Sequence, residues 1–241
     1  MTMDMSVYKT PSLWFALALP ALARVFVECL FYGAGAVPPA AQTLSIAACS
    51  LVIAYMMWPM LWRNTLLDPH KIGAWSLLTS VTVSLLIMVL TPAGAWLSLA
   101  LPLAGGVLVM CVLLGTLTLF LSRIVNLPEP SAHRVVLSTL ILACTGPLWL
   151  GALAGVLASR VFSDLVIALS PVGYLTSLID YDVLRSDWFY TRIPLGGMRY
   201  DYPNPVISTM LCCGLSVLML GVSMMRGHCF AVKDDTRFTT F

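Results

Sequence analysis

Two ionisable residues, Arg24 and Glu28, stand inside an apolar run near the start of the chain. Because they are four positions apart, they share one face of a helix and are able to form an ion pair. An ionisable side chain inside lipid costs roughly 3 kcal/mol or more, so such residues commonly mark a pathway or a partner contact. The alternative interpretation is a structural ion pair that faces a neighbouring subunit.

Two further groups of polar residues lie between apolar runs and are candidates for contacts with partners. The first group follows the second apolar run, is predicted to dock a partner, and comprises Arg63, Asp68, His70 and Lys71. The second precedes the last run, is predicted to form an outer contact surface, and comprises Asp180, Asp182, Arg185 and Trp188. A solvated connector is the plainer interpretation of both groups, because connectors outside a membrane carry charge.

Enzyme signatures are missing from the sequence. The patterns GxSxG, HExxH and GxxxxGK[ST] do not occur. The histidines His70, His133 and His228 fall in predicted connectors or in the tail, which argues against haem ligation inside a bundle. We therefore predict no catalytic residue, no metal and no cofactor, so that any ATP hydrolysis belongs to a partner. A membrane enzyme that binds a polar headgroup is a further alternative, with candidate residues Asp180, Asp182, Arg185 and Asp187.

The elements that must position these residues are apolar runs of about twenty residues, the length of one helical crossing of a bilayer. Only 10% of the 241 residues are charged and 59% are hydrophobic, whereas a soluble domain carries roughly 25% charged residues. The sequence therefore predicts an all-α, polytopic integral membrane protein, with a single transmembrane domain over residues 1–241. The net charge of +2 gives no indication of a nucleic-acid partner.

Six runs are long enough to cross the membrane, and they are followed or preceded by short connectors. The predicted spans are 13–32, 41–62, 72–90, 96–121, 135–158 and 205–225. An outer segment, 160–204, separates the last two spans. Its first part is apolar but broken at Ser170-Pro171 and Gly173, which predicts a re-entrant or interfacial helix pair. Trp58 and Trp62 are predicted to be interfacial anchors.

Positive charges predict the orientation of the chain. The segments on one side of the predicted spans hold Lys9, Arg63, Lys71, Arg123, Arg134, Arg226, Lys233 and Arg237. The two short hairpins on the other side hold no Lys or Arg. The positive-inside rule then places both termini in the cytoplasm. We expect the bacterial inner membrane as the location.

This layout resembles the permease subunit of type-2 ATP-binding-cassette exporters. The run Leu169–Leu175 resembles a Pro-containing stretch of that family's outer re-entrant helices, and Asn204-Pro205 opens the last span. The resemblance implies a coupling helix within Trp62–Trp75 and a separate cytoplasmic ATPase subunit. It also implies a second membrane subunit or a second copy of the chain, with Arg24 and Glu28 near the substrate path.

The residues leave a second class of function open, a non-catalytic membrane scaffold subunit of a larger complex. The stretch Asp180–Asp201 is rich in aromatic residues and Arg, which are enriched at protein interfaces. In this interpretation that stretch is a docking surface and the spans serve as the scaffold. Membrane lipid surrounds the chain under either hypothesis.

Overall fold

The computed structural model of the chain describes residues 38–61, 68–90, 96–153, 160–182 and 202–235. Within these ranges every regular element is an α-helix, and no strand occurs among them. The helices, in chain order, are α1 (Pro39–Leu61), α2 (Pro69–Leu90), α3 (Trp96–Arg123), α4 (Glu129–Leu153), α5 (Arg160–Leu169), α6 (Pro171–Leu178) and α7 (Pro205–Asp235).

Proline sets the start of α1, α2, α6 and α7, since each of these helices has proline as its first residue. The missing N–H of proline costs nothing there, because the first N–H groups of a helix have no partner within it. Side chains cap two of these starts. The carboxylate of Asp68 accepts the His70 N–H at 3.1 Å before α2, and the Asn204 amide oxygen accepts the Val206 N–H at 3.0 Å before α7.

Four of the described helices are long and apolar enough to cross a membrane. They are α1 over Pro39–Pro59, α2 over Pro69–Leu90, α3 over Ser98–Arg123 and α7 over Pro205–Arg226, with mean hydropathies between 1.6 and 2.3. They coincide with the predicted second, third, fourth and sixth spans. The predicted fifth span overlaps α4, which is not among these four, and the predicted first span lies outside the described residues. The count of six spans therefore stays a prediction.

Two helices extend further than the sequence predicts. α4 begins at Glu129 rather than near residue 135, because the Pro128 carbonyl accepts the N–H of Ala132 at 2.9 Å and a glutamate suits the positive end of a helix. The prediction that His133 lies in a connector was therefore wrong. Similarly, α7 continues to Asp235, so the backbone of His228 in the predicted polar tail is helical.

The central helix is α3, which packs against α1, α2, α4, α6 and α7. In its most apolar stretch 61% of residues are buried, whereas the corresponding share for α7 is only 11%. α7 packs on α3 and α6 along one side, and most of its large apolar side chains face outward. The core of the bundle therefore lies around α3, and α7 is peripheral.

Contacts at two levels show that α3 and α7 run in the same direction. In the first half of α3, a Cβ at Gly106 would lie 3.5 Å from the Tyr174 ring of α6. The Tyr174 hydroxyl in turn hydrogen-bonds to Thr209, near the start of α7, at 2.8 Å. Towards the other end, the guanidinium of Arg226 in α7 donates to the carbonyl oxygen of Ile124, directly after α3.

The helices α2 and α4 run the opposite way. The Ser80 hydroxyl of α2 donates to the Ala104 carbonyl of α3 at 2.9 Å, while Ile72, near the start of α2, packs at Gly115 in the second half of α3. The start of α4 lies beside the last turns of α1 through a ring contact of His133. We call the end of the bundle where α1 and α3 finish and α2 and α4 begin the basic end. It holds the cationic residues Lys71, Arg123, Arg134 and Arg226.

Two short helices, α5 and α6, occur in the segment for which a helix pair is predicted, and the break between them is at Ser170. The re-entrant or interfacial character of the pair stays a prediction. α5 packs on α4, and α6 packs on α1, α3, α4 and α7, in the half of the bundle away from the basic end. The turn between them is tight, since a Cβ at Gly173 would lie 2.1 Å from the Ile167 carbonyl oxygen. α6 ends with Asp180 at φ 50°, and the Tyr181 N–H bonds to the Thr176 carbonyl at 3.3 Å, a typical helix C-cap.

Candidate functional site

Several predicted site residues lie outside the described part of the chain. They are Arg24, Glu28, Arg63, Arg185 and Trp188. Their predicted roles in a pathway, in docking and in an outer contact surface stay predictions. The remaining members of the two predicted groups are described, and they lie at opposite ends of the bundle.

The described docking residues form the first turn of α2. Asp68 is the N-cap of that helix, and its backbone carbonyl also accepts the N–H groups of Lys71 and Ile72 at 3.0 and 3.1 Å. His70 is exposed, whereas Ile72 and Trp75 are buried in the bundle. Within 68–75, therefore, the chain is the start of a long helix, and Asp68 serves to begin it.

The described outer residues lie after α6. The carboxylate of Asp182 accepts a hydrogen bond from the Tyr202 hydroxyl at 2.8 Å. Tyr202 stands three residues before α7, so this bond ties the exit of α6 to the entry of α7. Asp180 occupies the left-handed position that ends α6. Both aspartates therefore have structural roles here.

A different set of residues forms a buried polar site at the basic end. The Tyr55 ring of α1 stacks on the His133 ring of α4, with centroids 4.5 Å apart and planes 19° apart. The Tyr55 hydroxyl hydrogen-bonds to the Thr118 hydroxyl of α3. Because Thr118 donates its single proton to the Leu114 carbonyl at 2.8 Å, Tyr55 must be the donor to Thr118. Side chains of α1, α3 and α4 thus meet at one site, through a hydrogen bond and a ring stack.

Gly115 makes room for this site. A Cβ there would lie 2.7 Å from Ile72 Cγ2 and 3.0 Å from the Trp58 ring, so only glycine lets α1 and α2 approach α3 so closely. Trp58 packs edge-on against Trp75 at 6.0 Å. Because Trp58 is buried in the bundle, its prediction as an interfacial anchor was wrong.

A small cavity lies at the centre of this site. It is lined by Tyr55, Trp58, Gly115, Thr118 and His133, and its volume for the centre of a water molecule is ≈ 10 Å³. That is about the smallest volume that holds one water molecule. Polar groups of three side chains border it, and a water needs two to four such partners. The cavity is therefore suited to a single water molecule.

His133 is the titratable group that distinguishes the site. It is 6% exposed, and its Nε2 atom is buried without a hydrogen-bond partner. Burial lowers the pKa of the His133 imidazole, since the charged form loses hydration. No residue that lines the cavity is acidic. The site therefore favours neutral histidine.

The chemistry of this site is limited to hydrogen bonding and proton binding. None of the residues lining the cavity is a carboxylate, a lysine or a cysteine, and the described residues contain no group of three or more His, Cys, Asp or Glu able to hold a metal ion.

The sequence contained a signal for this site that a connector interpretation overlooked. Ala132, Val136 and Leu140 recur at intervals of four and are all buried, and His133 neighbours the first of them. This interval is the period of a helix face. Extending the helical pattern back to Pro128 places His133 in the first turns of α4, facing the bundle.

The hydrogen bond between Tyr55 and Thr118 yields a stability prediction. Thr118→Val leaves the buried Tyr55 hydroxyl without its acceptor and is expected to cost about 1–3 kcal/mol of unfolding free energy. Tyr55→Phe is expected to cost less, because Thr118 keeps its bond to the Leu114 carbonyl. Detergent-titration unfolding of both single variants and the double variant measures the coupling. Strictly additive losses would contradict the bond.

Comparison of the chain with family models, with curated proteins and with solved structures found no match in any of the three. The class that the fold itself defines is a helical membrane protein, since four of the described helices have the length and hydropathy to cross a bilayer.

Proposed function

We propose that the chain is the permease subunit of an ATP-driven transporter and works with a separate ATPase. In this proposal it crosses the bacterial inner membrane six times, and α5 and α6 form the outer re-entrant pair. The observation that carries the proposal is the place of α5–α6. The pair precedes the last candidate crossing helix and packs among α1, α3, α4 and α7. The resemblance to type-2 exporter permeases implies short re-entrant helices at this place in the chain.

The distribution of cations supports a cytoplasmic location for the basic end. Lys71, Arg123, Arg134 and Arg226 belong to four different helices that meet there. Loops on the cytoplasmic side carry an excess of Lys and Arg. With the basic end inside, both termini are cytoplasmic in the proposed layout.

The connector between α1 and α2 is the proposed docking surface for the ATPase. It joins the two helices at the basic end and leads into the exposed His70. Arg63 and Lys71 would contribute charge to this surface, and Asp68 would fix the direction in which α2 leaves it. Packing changes among the helices would then follow from the ATPase cycle.

Affinity purification from the native membrane tests this proposal. We expect a P-loop ATPase to copurify with the tagged chain in mild detergent. The double variant Arg63→Glu, Lys71→Glu should lose the ATPase, because both charges on the surface reverse. Val89→Ala, which is exposed at the far end of α2, is the matched control and should retain it. Purification of a stoichiometric complex without any ATPase would refute the proposal.

A membrane scaffold subunit is the second candidate, and α7 is the observation that favours it. Its outward residues include Met210, Val217 and Met225, which are 69%, 71% and 70% exposed. Such a face suits either lipid or another membrane subunit. A stable assembly with other membrane proteins, recovered without an ATPase, would support this candidate.

A further inference from the structure

We propose that His133 is a proton-binding site whose occupation loosens the first turns of α4 from α1 and α3. The proposal starts from geometry and does not depend on the proposed transport function. The His133 ring lies flat on Tyr55 of α1 and borders the cavity that Gly115 and Thr118 of α3 also line. His133 is thus the side chain by which the start of α4 adjoins both α1 and α3 at this cavity.

Proton uptake disturbs this packing because the site offers the second N–H no fixed acceptor. Nε2 is buried and has no hydrogen-bond partner. The hydroxyl oxygens of Tyr55 and Thr118 are engaged with each other, and neither is hydrogen-bonded to Nε2 in this packing. Stacking on an aromatic face favours a cation, but this gain is smaller than the cost of desolvating an unpaired charge in the buried cavity. Opening towards water relieves the cost.

Among the described residues, no acidic side chain lines the cavity beside His133. Tyr55 faces it from α1, and Cys111 of α3 interacts with Tyr55. From α2, Lys71 precedes Ile72, which packs at Gly115, and its positive charge opposes a second cation. Glu129 and Arg134 are on α4 itself. Glu129 stands one turn before His133 on the same face of the helix, but it is partly exposed and does not line the cavity. Arg134 is the next residue and is exposed.

The acidic residue of α5 is remote from this cavity. α5 packs on α4 near Gly146, where Val166 approaches, thirteen residues from His133. That separation is about 20 Å along a helix. Asp164 of α5 therefore belongs to the other half of the bundle, and so do the aspartates that follow α6. Neutral His133 is the form that the surrounding helices accommodate.

The direction of the pH effect follows from linkage. Burial lowers the pKa of His133 below its ordinary value, so the packed state binds fewer protons than the open state. Packing is then fully stable above the ordinary pKa, about 6.5, and weakens as the pH falls through that value towards the lowered one. Acidification at the basic end is the condition that opens the site.

Amide hydrogen exchange of the full chain in lipid nanodiscs tests this inference. We compare residues 129–136 at about pH 5.5 and pH 7.5, on either side of the ordinary histidine value, after correction for intrinsic exchange rates. In the unmodified protein we expect faster exchange at the lower pH, by up to about tenfold, because pH 5.5 lies only about one unit below the ordinary histidine value. His133→Gln and His133→Phe should lose this difference, and the latter keeps a ring to stack on Tyr55.

His70→Gln is the matched control, because His70 is exposed at the same end of the bundle and its loss should leave the pH response in place. Equal exchange at both pH values in the unmodified protein overturns the proposal, and so does a response that survives His133→Gln. Should neither His133 variant fold, histidine-selective NMR of the unmodified chain decides. An Nε2 that titrates at or above the ordinary value contradicts the site.

Discussion

Replacing Gly173 with alanine is expected to destabilise the fold by roughly 3 kcal/mol or more. The new Cβ would lie 2.1 Å from the Ile167 carbonyl oxygen and 3.1 Å from its carbon, and backbone atoms cannot turn aside as the end of a side chain can. α5 and α6 would have to separate at their turn, which removes the buried Tyr174 and Leu175 from the core. Unfolding by detergent titration, together with the yield of folded protein, measures the loss.

Gly105→Ala is the matched control for this substitution. A Cβ at Gly105 meets nothing within 4 Å, and the residue lies inside α3. Because alanine favours helix over glycine, the expected result runs from no change to a gain of about 1 kcal/mol. If Gly173→Ala and Gly105→Ala unfold at the same detergent concentration, the tight turn between α5 and α6 is not as described.

The second large effect is expected from Leu103→Ala in the central helix. Leu103 is 0% exposed, and its truncation leaves a cavity among α3 and its neighbours. Buried leucine-to-alanine changes cost about 2–5 kcal/mol in soluble proteins, of which part is transfer from water. Lipid tails are as apolar as leucine, so the transfer part largely disappears in a membrane. We therefore expect the lower part of that range, from lost packing.

Leu101→Ala tests whether the loss of stability comes from burial of the leucine and not merely from its removal. Leu101 lies two residues earlier on the same helix but is 73% exposed, so its truncation removes contacts mostly with lipid. It should change the unfolding free energy by well under 1 kcal/mol. Similar losses for the two variants would show that α3 does not occupy the centre of the bundle.

The crossing helices could be predicted from sequence because hydrocarbon imposes a strong length rule. α2 ends at the predicted residue Leu90, and α3 begins at the predicted residue Trp96. The residues between them include Pro92 and Gly94, which are typical of turns. The break at Ser170 was also predictable from Ser-Pro chemistry. The early start of α4 could not be predicted from hydropathy. Charged residues such as Glu129 and Arg134 lower the mean hydropathy as a connector does, although here they belong to the first turns of a helix.

The buried polar site could not be predicted because it depends on which helix faces meet. Tyr55, Gly115 and His133 lie on three helices and are separated by 60 and 18 positions along the chain. In a nearly uniform apolar sequence, the inward and outward faces look alike, as they do for Leu101 and Leu103 in α3. Most of the predicted docking and outer residues were instead visible because they are polar or charged. Of those that the structure describes, Asp68 caps a helix, Asp180 ends one and Asp182 ties two helix ends together.

The shared direction of α3 and α7 restricts the route of the chain between them. α3 ends at the basic end of the bundle and α7 begins at the opposite end. The chain between them therefore runs the length of the bundle once. α4 accomplishes that passage by itself. Leu153 at the end of α4 and Tyr202 before α7 therefore lie towards the same end of the bundle, and the α5–α6 pair packs in that half.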